Sequence, residues 1–416
     1  MKLLLALILF FLLTQFSFAQ DSTQIIPGAY RMNVYVPLLK GKRVGVFANQ
    51  TSVVDKTNLI DTLLQQGVNI KKIFSPEHGF RGTADAGEQT ESYIDPATHI
   101  QVVSLYGKKN KPTPKDLQDV DVLLFDIQDV GVHFYTYISS LQRFVEAACE
   151  NSKPLMILDR PNPNGFYVDG PVLDTAYKSF VGLQPVPVVY GMTVGEYAMM
   201  IAGEGWLSTD AANKKYHWYK PQAQNSVDTP FHFLVIKCLN YDHNSRYQLP
   251  VNPSPNLATM PAVYWYPSTC FFEGTNITEG RGTDNAFAIF GAPSLPKNMY
   301  AFTPVSKTGA TNPKYANQLC YGWNVTDSIS PATTKKLNLH YLIEAYKLFP
   351  NKDSFFIKPK SGKATDYHFN KLAGNSTLMQ QLIDGKTEEE IRASWQPALD
   401  AFKQIRKKYL LYKDFE

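Results

Sequence analysis

Val68-Asn69-Ile70-Lys71-Lys72-Ile73-Phe74 runs directly into Ser75-Pro76-Glu77-His78-Gly79-Phe80-Arg81-Gly82. The first stretch reads as a strand. The second gathers an acid, an imidazole and a guanidinium around a proline and two glycines that bend the backbone. A strand that ends in a short, sharply turned, charged loop is where α/β enzymes place their chemistry.

The pattern recurs on either side. Arg43 to Ala48 reads as a strand ending in Asn49-Gln50-Thr51, and Ile100 to Leu105 as one ending in Tyr106-Gly107. Val122 to Phe125 is an unbroken apolar run, typical of a strand buried on both faces, and leads into Asp126-Ile127-Gln128-Asp129. Pro154 to Leu158 leads into Asp159-Arg160-Pro161-Asn162, and Phe231 to Leu239 reads as a further strand. Between them lie helical patterns at Leu59 to Gln66 with Gly67 as the stop, at about Thr136 to Glu150, and at Thr193 to Glu204, where Glu196 completes a capping box. This alternation predicts an α/β fold, with a Rossmann-like, mostly parallel sheet domain over residues 24–250. The polar clusters at Asn49, Glu77, Asp126 and Asp159 would then share one crevice at the strand C-termini.

From about Leu249 the character changes. Pro250, Pro253, Pro255, Pro261 and Pro267 read as ordered loop and mark a domain joint. Leu339 to Phe349 and Thr387 to Tyr409 read as amphipathic helices of a smaller α+β domain over residues 251–416. The basic run Lys403, Arg406, Lys407 and Lys408 reads as a solvated helix end.

The chain has 416 residues, 44% of them hydrophobic and 19% charged, which describes a globular protein rather than a disordered one. Lys2, the apolar run Leu3 to Leu13 and Ser17-Phe18-Ala19 read as a secretory signal over residues 1–19. It implies an exported, periplasmic or secreted protein. The run is too short to span a bilayer, and no later segment is long enough, so no stable membrane insertion is expected. The chain holds 41 basic against 37 acidic residues, with one of the basic ones, Lys2, in the leader. That balance argues against a nucleic-acid surface. Cys149, Cys238, Cys270 and Cys320 are too widely spaced for a metal finger, and Cys149 falls in an apolar helix pattern.

Several groups could carry chemistry. Glu77 is held between Pro76 and Gly79, and could act as a general acid or pair with Arg81 four residues on. His78 is either structural or part of the site. Asp126 and Asp129 could bind sugar hydroxyls, supply a second carboxylate, or cap a helix. Arg160 suits a carboxylate ligand or an internal pair with Asp159. Glu273, Asn276, Glu279 and Arg281 lie among glycines, which fits close ligand approach or a surface turn. There is no GxSxG elbow, no phosphate-binding GxxxxGK[ST] and no GxGxxG. A metal-dependent esterase or phosphatase built on His78, Asp126 and Asp159 is a second reading, and a non-catalytic sugar-binding protein of the cell envelope a third.

The order of the motifs resembles the exo-β-N-acetylmuramidases of peptidoglycan recycling. The resemblance is carried by Ala48-Asn49-Gln50-Thr51, Phe74 to Gly82, Ser104-Leu105-Tyr106-Gly107, Phe125 to Gly131, Phe134-Tyr135-Thr136-Tyr137, Leu158 to Pro163, Gly191-Met192-Thr193, Pro253-Ser254-Pro255-Asn256, Glu273 to Asn276 and Glu279 to Thr283. Two positions depart from the family pattern: His133 stands where an arginine is usual, and Tyr190 where a histidine is common. The resemblance implies release of terminal N-acetylmuramic acid from the non-reducing end of peptidoglycan fragments. No compact ligand spacing supports a metal, and no cofactor is expected. The site would lie in a cleft between a Rossmann-like domain and the smaller one.

Glu77 falls on the family's glutamate acid. Glu279 or Asp126 is then expected to stabilise an oxocarbenium-like transition state or activate water, unless the substrate's acetamido group serves as nucleophile. The lactyl carboxylate is expected on Arg81, Arg160 or Arg281. Asn49, Gln50, His78, Gln128, Asp129, Tyr135, Asn162, Tyr190, Asn256, Glu273 and Asn276 complete the expected substrate contacts.

Overall fold

The computed structural model describes residues 24–82, 85, 87, 88, 91–216 and 233–416. The signal segment over residues 1–19 lies outside the described residues, as do the first two positions of the strand expected from Phe231.

The centre of the molecule is a sheet of β1 (Arg43–Ala48), β2 (Asn69–Ser75), β3 (Tyr93–Ile94), β4 (Gln101–Ser104), β5 (Val122–Asp126), β6 (Leu155–Leu158) and β7 (Phe233–Ile236), in the order β7-β6-β5-β1-β2-β4-β3. All neighbours pair in parallel except the edge strand β3. The chain winds outward from β1 to one edge, returns to β5 and winds to the other. The crevice of such a sheet opens at the strand C-termini beside that reversal.

Strand alternation explains why both faces are covered. Val44, Val46 and Ala48 of β1, Val122 and Leu124 of β5, and Met156 and Leu158 of β6 join one apolar layer with Leu59, Ile60 and Leu63 of helix Leu59–Gln65. Phe47, Leu123, Phe125, Leu155 and Ile157 point the other way, onto helix Tyr137–Glu150. There Phe144 packs edge-on against Phe47 and Phe74, at 5.0 and 5.5 Å between centroids. Cys149 is buried on the same helix.

The second lobe carries an antiparallel sheet of β8 (Ile289–Ala292), β9 (Tyr300–Phe302) and β10 (Cys320–Asn324), ordered β8-β10-β9, with helices packed around it. One continuous apolar core runs from Phe47 and Phe125 to Phe290 and Phe402, so the lobes share an interior.

Three findings correct or extend these expectations. The proline-punctuated stretch contains a helix, Met260–Thr269, rather than loop alone. Pro261 sits in its first turn, where no N–H is needed. Pro267 lies inside it and leaves the carbonyl of Val263 without its helical donor, and Asn164 Nδ2 supplies one at 3.2 Å.

Second, the C-terminal segment reaches across to the first lobe. Helix Glu388–Lys407, opened by the Thr387–Glu390 capping box, packs on the Asp169–Val172 strand of the first lobe. Beyond it, Leu411 N–H donates to Glu196 at 2.7 Å and the Tyr412 hydroxyl to Asp159 at 2.6 Å. Third, Arg406 is no solvated end. It is buried, donates to the Gly191 carbonyl at 2.9 Å and forms a two-pronged pair with Asp414.

Candidate active site

A cleft of about 260 Å³ opens between the C-terminal ends of the parallel strands and the second lobe. Glu77, His78, Tyr106, Tyr135, Thr136 and Tyr137 line it from the first lobe. Ser254, Leu257, Tyr266, Glu273, Arg281, Phe287 and His368 face them, and Val181 closes one side.

Glu77 leaves β2 through a tight turn in which Gly79 N–H donates to the Pro76 carbonyl at 3.0 Å. His78 and Gly79 both take left-handed backbone, with φ of 66° and 75°. For histidine this conformation costs about 1–2 kcal/mol, a strain retained at the cleft by the turn and by contacts such as Ser254 Oγ, 3.4 Å from His78 Nε2. The Glu77 carboxylate is half-buried. Thr136 Oγ1 donates to its Oε2 at 2.7 Å and Gly87 N–H to its Oε1 at 2.8 Å. Thr136 is the N-cap residue of helix Tyr137–Glu150, yet makes no capping bond; its hydroxyl serves the acid instead. Burial, with the neighbouring Glu77 carboxylate, raises the pKa of the Tyr106 phenol and keeps it protonated.

The second carboxylate on the cleft is Glu273, in the short 3-10 turn Cys270–Gly274. Its Oε1 accepts from Arg281 Nη2 at 2.7 Å, and its Oε2 lies 3.4 Å from His368 Nε2. Burial alone would raise its pKa, but Arg281 and His368 outweigh that and hold the carboxyl below its ordinary range, so Glu273 is ionised. Glu279 stands behind, pairing with Arg281 Nε at 3.0 Å and lying 3.1 Å from Lys314 Nζ. Gly280 separates them with φ of 80°, where an added Cβ would lie 2.0 Å from the Ile289 carbonyl oxygen. Lys314 Nζ donates to the carbonyls of Phe272, Glu273, Thr275 and Ile277 at 2.9–3.2 Å, drawing the Glu273 turn around one ammonium.

Of the residues expected from sequence, Glu77, His78, Tyr135, Glu273 and Arg281 meet in the cleft. Asp126 does not line it. It is fully buried and holds Arg160 through bonds of 2.6 and 2.8 Å, while Arg160 also donates to the Val53 carbonyl at 3.0 Å. Asp126 is therefore no second catalytic carboxylate, and Arg160 has no free fork for a substrate. Arg81 pairs with Asp95 at 2.7 Å, outside the cleft.

The remaining candidates brace the loops behind the cleft. Asn49 bonds Tyr137 and Thr51, Gln50 donates to the Pro253 carbonyl, and Gln128 donates to the Asp129 and Pro161 carbonyls. Asn162 donates to the Met192 carbonyl, Asn256 to that of Gly309 and Asn276 to that of Ser354. Asp129 is buried and accepts from Gly131 N–H and Tyr190. Burial pushes its pKa to about 6 against those donors. His133 lies between the Leu372 and Val186 carbonyls, so neither departure from the family pattern lines the cleft.

Sequence reading did not mark Thr136, Ser254, Tyr266, Phe287, Lys314 or His368 as site residues. Thr136 had a signal, being the residue that joins the strand-end loop to a helix. His368 had none, since it meets Glu273 across 95 positions of chain. The second reading put His78, Asp126 and Asp159 together; Asp126 is closed by Arg160, and Asp159 by Gly195 N–H and Tyr412. Among the described residues no three His, Cys, Asp or Glu side chains are grouped as a metal site needs.

A doubly wound sheet facing a second lobe across an aromatic-walled cleft, with one carboxylate on each side, defines a two-lobed α/β protein equipped for glycosidic chemistry. Comparisons with known proteins sharpen this. Residues 44–261 match the N-terminal and residues 264–412 the C-terminal family model of the exo-β-N-acetylmuramidase NamZ. The chain is 38% identical over 396 residues to the peptidoglycan β-N-acetylmuramidase NamZ of Bacillus subtilis, covering 91% of this chain and 89% of that one. Two crystal structures of DUF1343 family proteins from Bacteroides fragilis share the fold. One is 41% identical with a TM-score of 0.81, covering 94% of this chain and all of that one. The other is 27% identical with a TM-score of 0.73, covering 94% and 99%. The chain belongs to the exo-β-N-acetylmuramidase NamZ family.

Proposed function

We propose that the protein is an exo-acting glycosidase that hydrolyses the β-bond of the terminal N-acetylmuramic acid at the non-reducing end of peptidoglycan fragments. The observation that carries this is the opposition of Glu77 and Glu273, from different lobes, across one cleft. Its aromatic wall of Phe134, Tyr135, Tyr266 and Phe287 suits the face of a sugar ring, and the exo mode of the reading is that of the family.

In this reading Glu77 donates its proton to the glycosidic oxygen as the C1–O bond breaks. Glu273, kept ionised by Arg281, faces the positive charge that develops on the ring and either stabilises it or takes a proton from the attacking water. Water supplies the hydroxyl at C1, and the departing sugar leaves with the proton of Glu77. The Arg281 guanidinium, with the His368 imidazole beside it at Glu273, is the group placed on the cleft for the lactyl carboxylate. Export also belongs to the proposal, resting on the pattern of residues 1–19 alone. Incubation with a muramyl-glucosaminyl disaccharide, followed by mass identification, is expected to release free N-acetylmuramic acid, and to do so after dialysis against EDTA. Intact disaccharide after prolonged incubation would contradict the proposal.

A further inference from the structure

Beside the main cleft lies a second cavity of about 230 Å³, lined by Gly87, Tyr106, Gly107, Asn110 and Phe180. The two cavities share Gly87 and Tyr106. Gly87 donates its N–H to the Glu77 carboxylate at 2.8 Å, and burial, with the same carboxylate, raises the pKa of the neighbouring Tyr106 phenol. Glu77 therefore stands at the junction of the two spaces. A general acid must stand there if the bond it protonates joins a sugar in one cavity to a sugar in the other.

A second observation agrees. Ser179 and Gly182 exchange two backbone hydrogen bonds of 2.9 Å, which leaves Phe180 and Val181 as the tip of a tight two-residue turn. Successive tip residues diverge: Val181 lines the main cleft and Phe180 the second cavity. One turn thus touches both spaces across the junction. The Phe180 and Tyr106 rings meet at 5.7 Å and 62°, forming an aromatic corner. Among the described residues no charged side chain lines this cavity, and Asn110 offers an amide at its edge.

We propose that the Tyr106–Phe180 corner is the leaving-group subsite, and that it takes a neutral pyranose carrying no carboxylate, stacked on Phe180 and hydrogen-bonded by Asn110. The assignment rests on the glycosidase reading above and adds a second sugar to it. The muramic residue, with its carboxylate, takes the cleft that holds Arg281 and His368, and its neutral neighbour takes the uncharged one.

Two substrates separate the subsites. A muramyl-glucosaminyl disaccharide fills both, whereas β-muramyl fluoride has a leaving group too small to reach the corner. Phe180→Ala is expected to lower kcat/KM on the disaccharide by roughly tenfold and to leave the fluoride unchanged, while Phe180→Trp restores the disaccharide rate. Asn110→Ala, on an exposed loop, is expected to shift the same ratio in the same direction. Equal losses on both substrates, or no loss on the disaccharide, would overturn the subsite. A wild-type enzyme that turns over neither substrate would instead remove the glycosidase reading on which it rests.

Discussion

Glu77 and Asp126 occupy equivalent places: each is an acid at the C-terminal end of a central parallel strand. Their surroundings differ in every respect that sets chemistry. Glu77 is half-buried, accepts from a threonine hydroxyl and a backbone N–H, and faces the cleft. Asp126 is sealed, with both oxygens on Arg160. A strand end fixes where a carboxylate sits, but the partner across the crevice fixes whether it can act. The second lobe repeats the contrast, since Glu273 opens to the cleft while Glu279, six residues on, anchors Arg281 from behind.

The contrast can be broken by paired substitutions. Glu77→Gln is expected to slow disaccharide hydrolysis by ~10²–10⁴-fold with an unchanged urea midpoint. Asp126→Asn should do the reverse, costing ~3–5 kcal/mol of stability because Arg160 is left as an uncompensated buried charge, with near-normal turnover per folded molecule. Turnover falling in proportion with both variants, measured beside circular dichroism, would mean the two acids are not distinct in role.

Lys314 sharpens the comparison within the second lobe. Lys314→Met removes the ammonium that gathers four carbonyls around the Glu273 turn. A displacement of the turn on the order of 1 Å would lower kcat by about 10²-fold, with KM moving less. Unchanged kcat would show that the turn holds its shape without the lysine.

The smallest effect concerns the sealed acids. Burial raises Asp129 to about 6 and Asp159 to about 7. In the unfolded chain both return to ordinary carboxylate values, so the folded state holds extra protons across that window and its stability falls as pH rises through it. Thermal unfolding midpoints are expected to decline between pH ~5 and ~7.5, and Asp159→Asn to flatten the decline. A wild-type midpoint that rises over the same range would contradict the assignment.

Much of the fold was legible because its signals are local. An unbroken apolar run marked β5, and the Thr193–Glu196 and Thr387–Glu390 capping boxes marked two helix starts. The helix at Met260–Thr269 was not, because Pro267 forbids it locally and only Asn164, about a hundred residues away, supplies the missing donor. The return of Tyr412 to Asp159 is equally non-local. Within the site, strand-end position found Glu77 and His78, and glycine-bracketed polar residues found Glu273 and Arg281. The same reasoning could have paired Asp126 with Arg160, since β5 and β6 are adjacent parallel strands and their following residues must meet.

The most direct test of the central claim uses one variant and two leaving groups. If Glu77 is the acid, Glu77→Gln loses cleavage of the muramyl-glucosaminyl disaccharide but keeps most of its activity on a dinitrophenyl β-muramide, whose phenolate departs without a proton. Loss of both activities together in a well-folded variant, or retention of both, would contradict the assignment of Glu77 as proton donor.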